Sequence, residues 1–254
     1  MISLAGKAAL VTGGSRGIGA ATVKLFAQAG ADVVFNYHRN RPAAAQVEQE
    51  ARKQGTRVES LKADLGRDAD AKKLVSYAVK QLGRLDILVL NAGIWNAEDA
   101  PIEKLSERDW DEMIRTNLKS VYGVAHYATA QMIAQHAGRI IVLSSTAGQR
   151  GEAFHSHYAA TKGAAISFVK SLATELARHG ILVNCVAPGW VDTDMSRPVL
   201  ETKAGTKFAT SAIPLGRVGT AEEIAGAILF LASDLATFVT GEVLNVNGGA
   251  VLCG

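Results

Sequence analysis

The stretch AALVTGGSRGIG, residues 8–19, decides the fold. An apolar run enters a pair of glycines, and beyond Arg16 the apolar residues return at helical spacing. The spacing predicts a strand over 8–14 and a helix over Arg16–Ala29, with Ile18, Ala21, Leu25 and Phe26 near one face and a stop at Gly30. Gly13, Gly14, Gly17 and Gly19 permit a tight strand-to-helix turn and the close approach of a pyrophosphate, an anion that the N–H groups opening a helix attract. The order is G-x-x-x-G-x-G, not the dinucleotide fingerprint G-x-G-x-x-G. Gly13, Ser15, Arg16, Gly17, Ile18 and Gly19 are the candidate contacts in this loop.

Outward from the loop the same alternation repeats. Strands are expected at DVVFNY (32–37), RVESLKAD (57–64), DILVLNAG (86–93), RIIVLSS (139–145), ILVNCVAPG (181–189) and EVLNVNGG (242–249). Helices are expected over 42–54, 68–82 with Gly83 as the stop, 107–136, 156–178 and 222–231. Apolar strands without polar alternation, each followed by a helix, indicate a parallel sheet covered on both faces. The expected fold is a single α/β domain over 1–254, Rossmann-like and doubly wound, with about seven parallel strands. Residues 193–219 hold Pro198, Gly205, Pro214, Gly216 and Gly219, are long for a connection, and are expected to form a mobile substrate lid.

Composition excludes several classes. The chain is 48% hydrophobic and 20% charged, which suits one sizeable globular domain, and its net charge of +3 without clustered basic runs gives no case for nucleic acid. No stretch nears the roughly 18 apolar residues of a membrane span. The N-terminus lacks the pattern of a signal peptide. Two cysteines, Cys185 and Cys253, make no disulfide framework, and a reduced, cytoplasmic setting is expected.

The end of the second strand bears on nucleotide choice. An acid there would bind a ribose 2′-hydroxyl; a 2′-phosphate wants arginine. The residues are Asn36, Tyr37, His38 and Arg39, and Arg39 with Arg16 favours NADP(H) over NAD(H). A second signal lies in FHSHYAATKG (154–163). Tyr158 and Lys162 stand four apart on a helix and share a face, and an ammonium near a phenol favours its ionised form. His155 and His157, with no third ligand in view, are not expected to bind metal and are placed at a substrate mouth or on solvated surface.

Together these motifs resemble the short-chain dehydrogenase/reductase family along essentially the whole chain. TGGSRGIG (12–19), LNAG (90–93), Asn117, Ser145, the Tyr158/Lys162 pair and APGWVDTDM (187–195) carry the resemblance. It implies that Tyr158 is the general acid in reduction. Lys162 would hold the nicotinamide ribose and lower the Tyr158 pKa, Ser145 would bind the substrate oxygen, and Asn117 would hold a relay water. It further implies that Asp64 and Leu65 flank adenine, that Asn91, Ala92 and Gly93 line the adenosine ribose, and that Pro188, Gly189, Val191 and Thr193 cradle the nicotinamide. Asn36 is counted with these cofactor contacts. Ser144 competes with Ser145, but neighbouring strand residues face opposite sides.

Within the family the chain resembles the 3-oxoacyl-acyl-carrier-protein reductases of fatty acid biosynthesis, which implies a carbonyl or acyl-thioester substrate, carried in some members by acyl carrier protein. Reduced basic charge at Gln135-His136-Ala137 and Arg178-His179 weighs against the carrier protein. The alternatives are a sugar or polyol dehydrogenase and a silent cofactor-binding sensor or scaffold. The resemblance also implies a homotetramer, with Tyr122, Val124, Ala125, Ala128 and Met132 offering one apolar face; packing inside the subunit is the other use of that face.

Overall fold

A computed structural model describes residues 2–252 of the 254; Cys253 lies outside them. Each apolar run becomes a strand: β1 (Ala8–Val11), β2 (Asp32–Tyr37), β3 (Val58–Lys62), β4 (Ile87–Leu90), β5 (Gly138–Leu143), β6 (Ile181–Pro188) and β7 (Val243–Val246). They form one parallel sheet in the order β3-β2-β1-β4-β5-β6-β7. Alternate residues go to opposite faces. Ala9 and Val11 pack with Phe26 of α1 (Gly17–Gln28), Val47 of α2 (Arg41–Arg52) and, toward the C-terminal edge, Ile228. Leu10 packs on the other side with Leu74 of α3 (Asp68–Leu82) in a core that also holds Val124 and Val169. Both faces are therefore closed by helices, as the uninterrupted apolar runs require.

β2 keeps its expected bounds, while β1 and β4 are shorter than the sequence spacing suggests because they stop where their chain ends turn to build the cleft. The expected helix over 107–136 is three pieces: α4 (Glu107–Ile114), a π-helical turn (Arg115–Lys119) and α5 (Ser120–Gln135). After β5 come α6 (Thr146–Arg150) and α7 (Ser156–Leu176). The 193–219 stretch is not irregular throughout; it carries α8 (Arg197–Leu200) and α9 (Lys203–Ser211). It is tied at both ends, since Asp192 N–H donates to Gly219 O (2.9 Å) and Gly219 N–H to Trp190 O (2.9 Å). Last comes α10 (Ala221–Ala232), opened by a capping box of Thr220 and Glu223.

The apolar face considered for subunit pairing is spent inside the subunit. Val124, Ala125, Ala128 and Met132 of α5 are buried in its own core, and only Tyr122, about half exposed, looks outward, where its ring stacks on His126 (centroids 5.7 Å apart). Among the described residues no helix is long and apolar enough to cross a membrane.

Candidate active site

Strand order reverses at β1, with β2 on one side and β4 on the other, and the crevice beyond the carboxyl ends of such strands is where open α/β sheets bind ligands. The glycine loop enters this crevice. Gly13 N–H donates to Asn36 Oδ1 (2.8 Å), Gly14 N–H to Asn36 O (3.0 Å), and Asn36 Nδ2 donates to Ala63 O (3.2 Å). The buried Asn36 side chain thus joins β1, β2 and β3, and its amide is committed to the loop's shape rather than offered to a ligand. From the other side Asn91 Nδ2 donates to Thr12 O (2.9 Å), and Asn91 N–H and Ala92 N–H both donate to Thr12 Oγ1 (2.9 and 3.0 Å). Thr12 is almost wholly buried. The motif reading passed over it because its hydroxyl acts on a strand distant in sequence.

Gly19 faces the loop so closely that a Cβ would stand 2.2 Å from Gly13 O. Gly17 holds a left-handed φ of +52° against the Thr193 methyl. No side chain caps α1, whose N-terminus follows Arg16 into the groove. Free N–H groups at a helix start with arginines nearby suit a pyrophosphate. Arg16 and Arg39 are exposed and both line this groove, as do Ser15, Gly17, Ile18, Asp64, Leu65 and Asn91 to Gly93. These groups fit a dinucleotide with an added phosphate. Asp64 carries more than its sequence position implies. Burial alone would raise its carboxyl, but the Gly66 N–H (3.1 Å) and the Arg115 guanidinium (3.0 Å to each oxygen) hold it below the usual range. Arg115 escaped the sequence reading because it sits in the π-turn, out of helical phase.

The groove opens into a second cleft, and Ile18, Asn91, Gly93 and Thr193 line both. Pro188, Gly189 and Val191, at and beyond the end of β6, form its floor with Tyr158 and Lys162 of α7 and Ser145 after β5. Ser145 Oγ accepts the Ala147 N–H (3.2 Å) and stands in hydrogen-bonding reach of the Tyr158 hydroxyl. Ser144 also borders the cleft, but its Oγ is committed to Lys162 O (2.7 Å). Lys162 Nζ donates to Leu143 O (2.8 Å) and lies 5.7 Å from the Tyr158 ring centre. Burial pushes Lys162 down to about 8. Cys185, buried in β6 as expected of a small apolar residue, is pushed up to about 11 by burial.

Tyr158 runs against expectation. Burial and the neighbouring Glu152 carboxylate push it up to about 12, with the Ser145 hydroxyl opposing, and Lys162 does not offset them. The phenol is held as an acid. Asn117 is also different in kind. Its Oδ1 accepts Ile94 N–H (2.7 Å) and its Nδ2 donates to Ile94 O (2.8 Å), so the amide pins the chain leaving β4. A π-turn sets it there, a geometry that recurs at functional sites.

His155 and His157 are both buried, not solvated. The two nitrogens of His155 face Asn96 O (2.9 Å) and Ala153 O (3.2 Å), and its ring stacks on Trp95 (5.0 Å). Burial lowers His157, with His155 adding to the effect. Phe154, just before them, holds a left-handed φ of +64°, a strained setting for a bulky residue. Of the basic residues near β5, Arg139 is paired with Asp234 (3.0 Å).

The comparisons agree with this geometry. The family described as enoyl-(acyl carrier protein) reductase matches residues 13–251. The 3-oxoacyl-[acyl-carrier-protein] reductase of Staphylococcus aureus is 40% identical over 243 residues, covering 96% of this chain and 97% of its own. That of Aquifex aeolicus is 40% identical over 248 residues, covering 98% of each. A short chain dehydrogenase from Burkholderia cenocepacia, solved in complex with NADP, superposes with a TM-score of 0.90 at 34% identity, covering 97% of this chain and 98% of that one. Each match covers more than nine-tenths of the chain, and the chain belongs to the short-chain dehydrogenase/reductase family.

Proposed function

We propose that the protein is an NADPH-dependent reductase that converts a ketone to a secondary alcohol, with a 3-oxoacyl thioester as the substrate class. The observation that carries the reading is the convergence of Ser145, Tyr158 and Lys162 in the second cleft, where the nucleotide groove opens into it. A general acid must hold its proton until the substrate oxygen gains charge, and a phenol does so across the neutral range. The NADP-bound relative and the 40% identical 3-oxoacyl-[acyl-carrier-protein] reductases support the choice of cofactor and substrate.

When bound, NADPH supplies the hydride. Arg16, Arg39 and the start of α1 take its phosphates, and Asp64 to Gly66 border the adenine end. Ser145 orients the carbonyl oxygen and Tyr158 Oη protonates it. An ammonium has three donors; Lys162 gives one to Leu143 O, leaving others for the ribose hydroxyls and for favouring the tyrosinate that remains after proton transfer. The 193–219 segment closes over the substrate, the working form is a homotetramer, and the setting is cytoplasmic. The coenzyme A thioester of a 3-oxoacyl group is the first substrate to try. Loss of NADPH absorbance on adding acetoacetyl-CoA is the expected result. Tyr158→Phe should lower turnover by at least about a thousandfold while NADPH binding persists; substantial residual turnover in that variant refutes the mechanism.

A further inference from the structure

The substrate half of the cleft contains one group that reduction of a plain ketone does not use. Glu152, in the turn between α6 and α7, lines the cleft with Tyr158, near enough for its charge to raise the phenol. Its side chain is about one-fifth exposed. Burial raises its own pKa, while His155, Arg150 and the Trp95 indole N–H pull the other way. The His155 contact is long, 3.7 Å from Nδ1 to Oε1, and that nitrogen already faces Ala153 O. A carboxylate offers about four acceptor sites, so Glu152 retains capacity facing the cleft. Around it the walls are aromatic: Trp95 and Trp190 meet edge to face at 5.7 Å, and both line the same space. Flat apolar walls with one acceptor carboxylate match a short, neutral carbon chain bearing a hydroxyl. Arg150 lines the same space and supplies a cation that balances the carboxylate.

We propose a further activity: reduction of neutral α-hydroxyketones, with Glu152 as the residue that determines specificity by accepting the hydroxyl beside the reacting carbonyl. It rests on the reading of Tyr158 as acid and NADPH as reductant, though not on the thioester as substrate. The carbon–oxygen double bond becomes single as the carbon gains hydride from NADPH, which leaves as NADP⁺. The oxygen gains the Tyr158 proton, and the product is a vicinal diol.

The test compares kcat/KM for 3-hydroxy-2-butanone and 2-butanone, which differ by one hydroxyl, in the wild type and in Glu152→Ala and Glu152→Met. The intrinsic reactivity of each ketone is the same in every enzyme, so a change in their ratio isolates the side chain. The wild-type ratio should favour the hydroxyketone, and each variant should lower it by about tenfold or more, the usual worth of a hydrogen bond to a charged group. NADPH binding shows which variants are folded; Met keeps the volume and removes the buried charge, so it folds if Ala does not. A ratio within twofold of wild type in either folded variant, or a wild type that turns over no hydroxyketone, overturns the proposal. Acetoacetyl-CoA run beside them separates the two readings: hydroxyketones reduced without it sink the thioester reading alone, and the reverse sinks this one alone.

Discussion

Replacing Gly19 with alanine puts a methyl group where the loop has no room. The new Cβ would lie 2.2 Å from Gly13 O and 2.6 Å from Asn91 Nδ2, against an ordinary contact of about 3.5 Å. A carbonyl of the main chain cannot rotate aside, so the loop must move away from α1. That movement strains the Asn91 Nδ2 bond to Gly13 O (3.2 Å) and the Gly13 N–H bond to Asn36 (2.8 Å). Overpacking costs about 1–3 kcal/mol and the loss of one of these two bonds about 1 kcal/mol, so restoring the loop for binding should cost about 2–4 kcal/mol. NADPH affinity should therefore fall by about 30-fold or more. Titration by cofactor fluorescence measures it. Gly226→Ala is the control: it lies within α10 with nothing within 4 Å of its Cβ, and should leave affinity unchanged while adding about 1 kcal/mol of helix stability. An affinity for Gly19→Ala within threefold of wild type would show that the loop is not held as described.

Lys162 and the arginines give two further outcomes. Lys162 drops from 10.5 to about 8 in the fold, so below pH 8 its charge costs about 3 kcal/mol, a penalty relieved as pH rises from 8 toward 10.5. After allowing for the lost bond to Leu143 O, Lys162→Met should stabilise the protein by about 1–2 kcal/mol at pH 7 and less at pH 10, while abolishing turnover; thermal melts at both pH values check this, and a less stable variant at pH 7 contradicts it. Arg39→Ala, alone and with Arg16→Ala, should lower the NADPH-to-NADH ratio of kcat/KM by at least about tenfold, and an unmoved ratio refutes the phosphate assignment. Asn36→Asp is unsuited to that question, because it would set a carboxylate against Ala63 O.

The elements that were legible in sequence are those whose signal is local. Each apolar run marked a strand, and Gly83, left-handed at φ +76°, stopped α3 where the pattern did. Tyr158 and Lys162 could be paired because four residues on one helix share a face. What escaped depends on contacts between distant segments. The π-turn at Arg115–Lys119 breaks helical phase by one residue and lets Asn117 grip Ile94 and Arg115 grip Asp64. The sign of the Tyr158 shift turned on burial and on Glu152, neither readable from the spacing to Lys162. Val124 and Met132 read equally well as an outer or an inner face, and only the packing of α5 against the sheet decides between them.

The strand order also sets a timetable for synthesis. β1 is an interior strand, yet its second neighbour, β4, begins at Ile87, some 76 residues after β1 ends at Val11. At about 5–20 residues per second a ribosome needs roughly 4–15 s to deliver it. Throughout that interval Leu10 and Val11 border an open hydrogen-bonding edge, so the emerging amino-terminal half is the stage at which this chain most needs shielding from its neighbours.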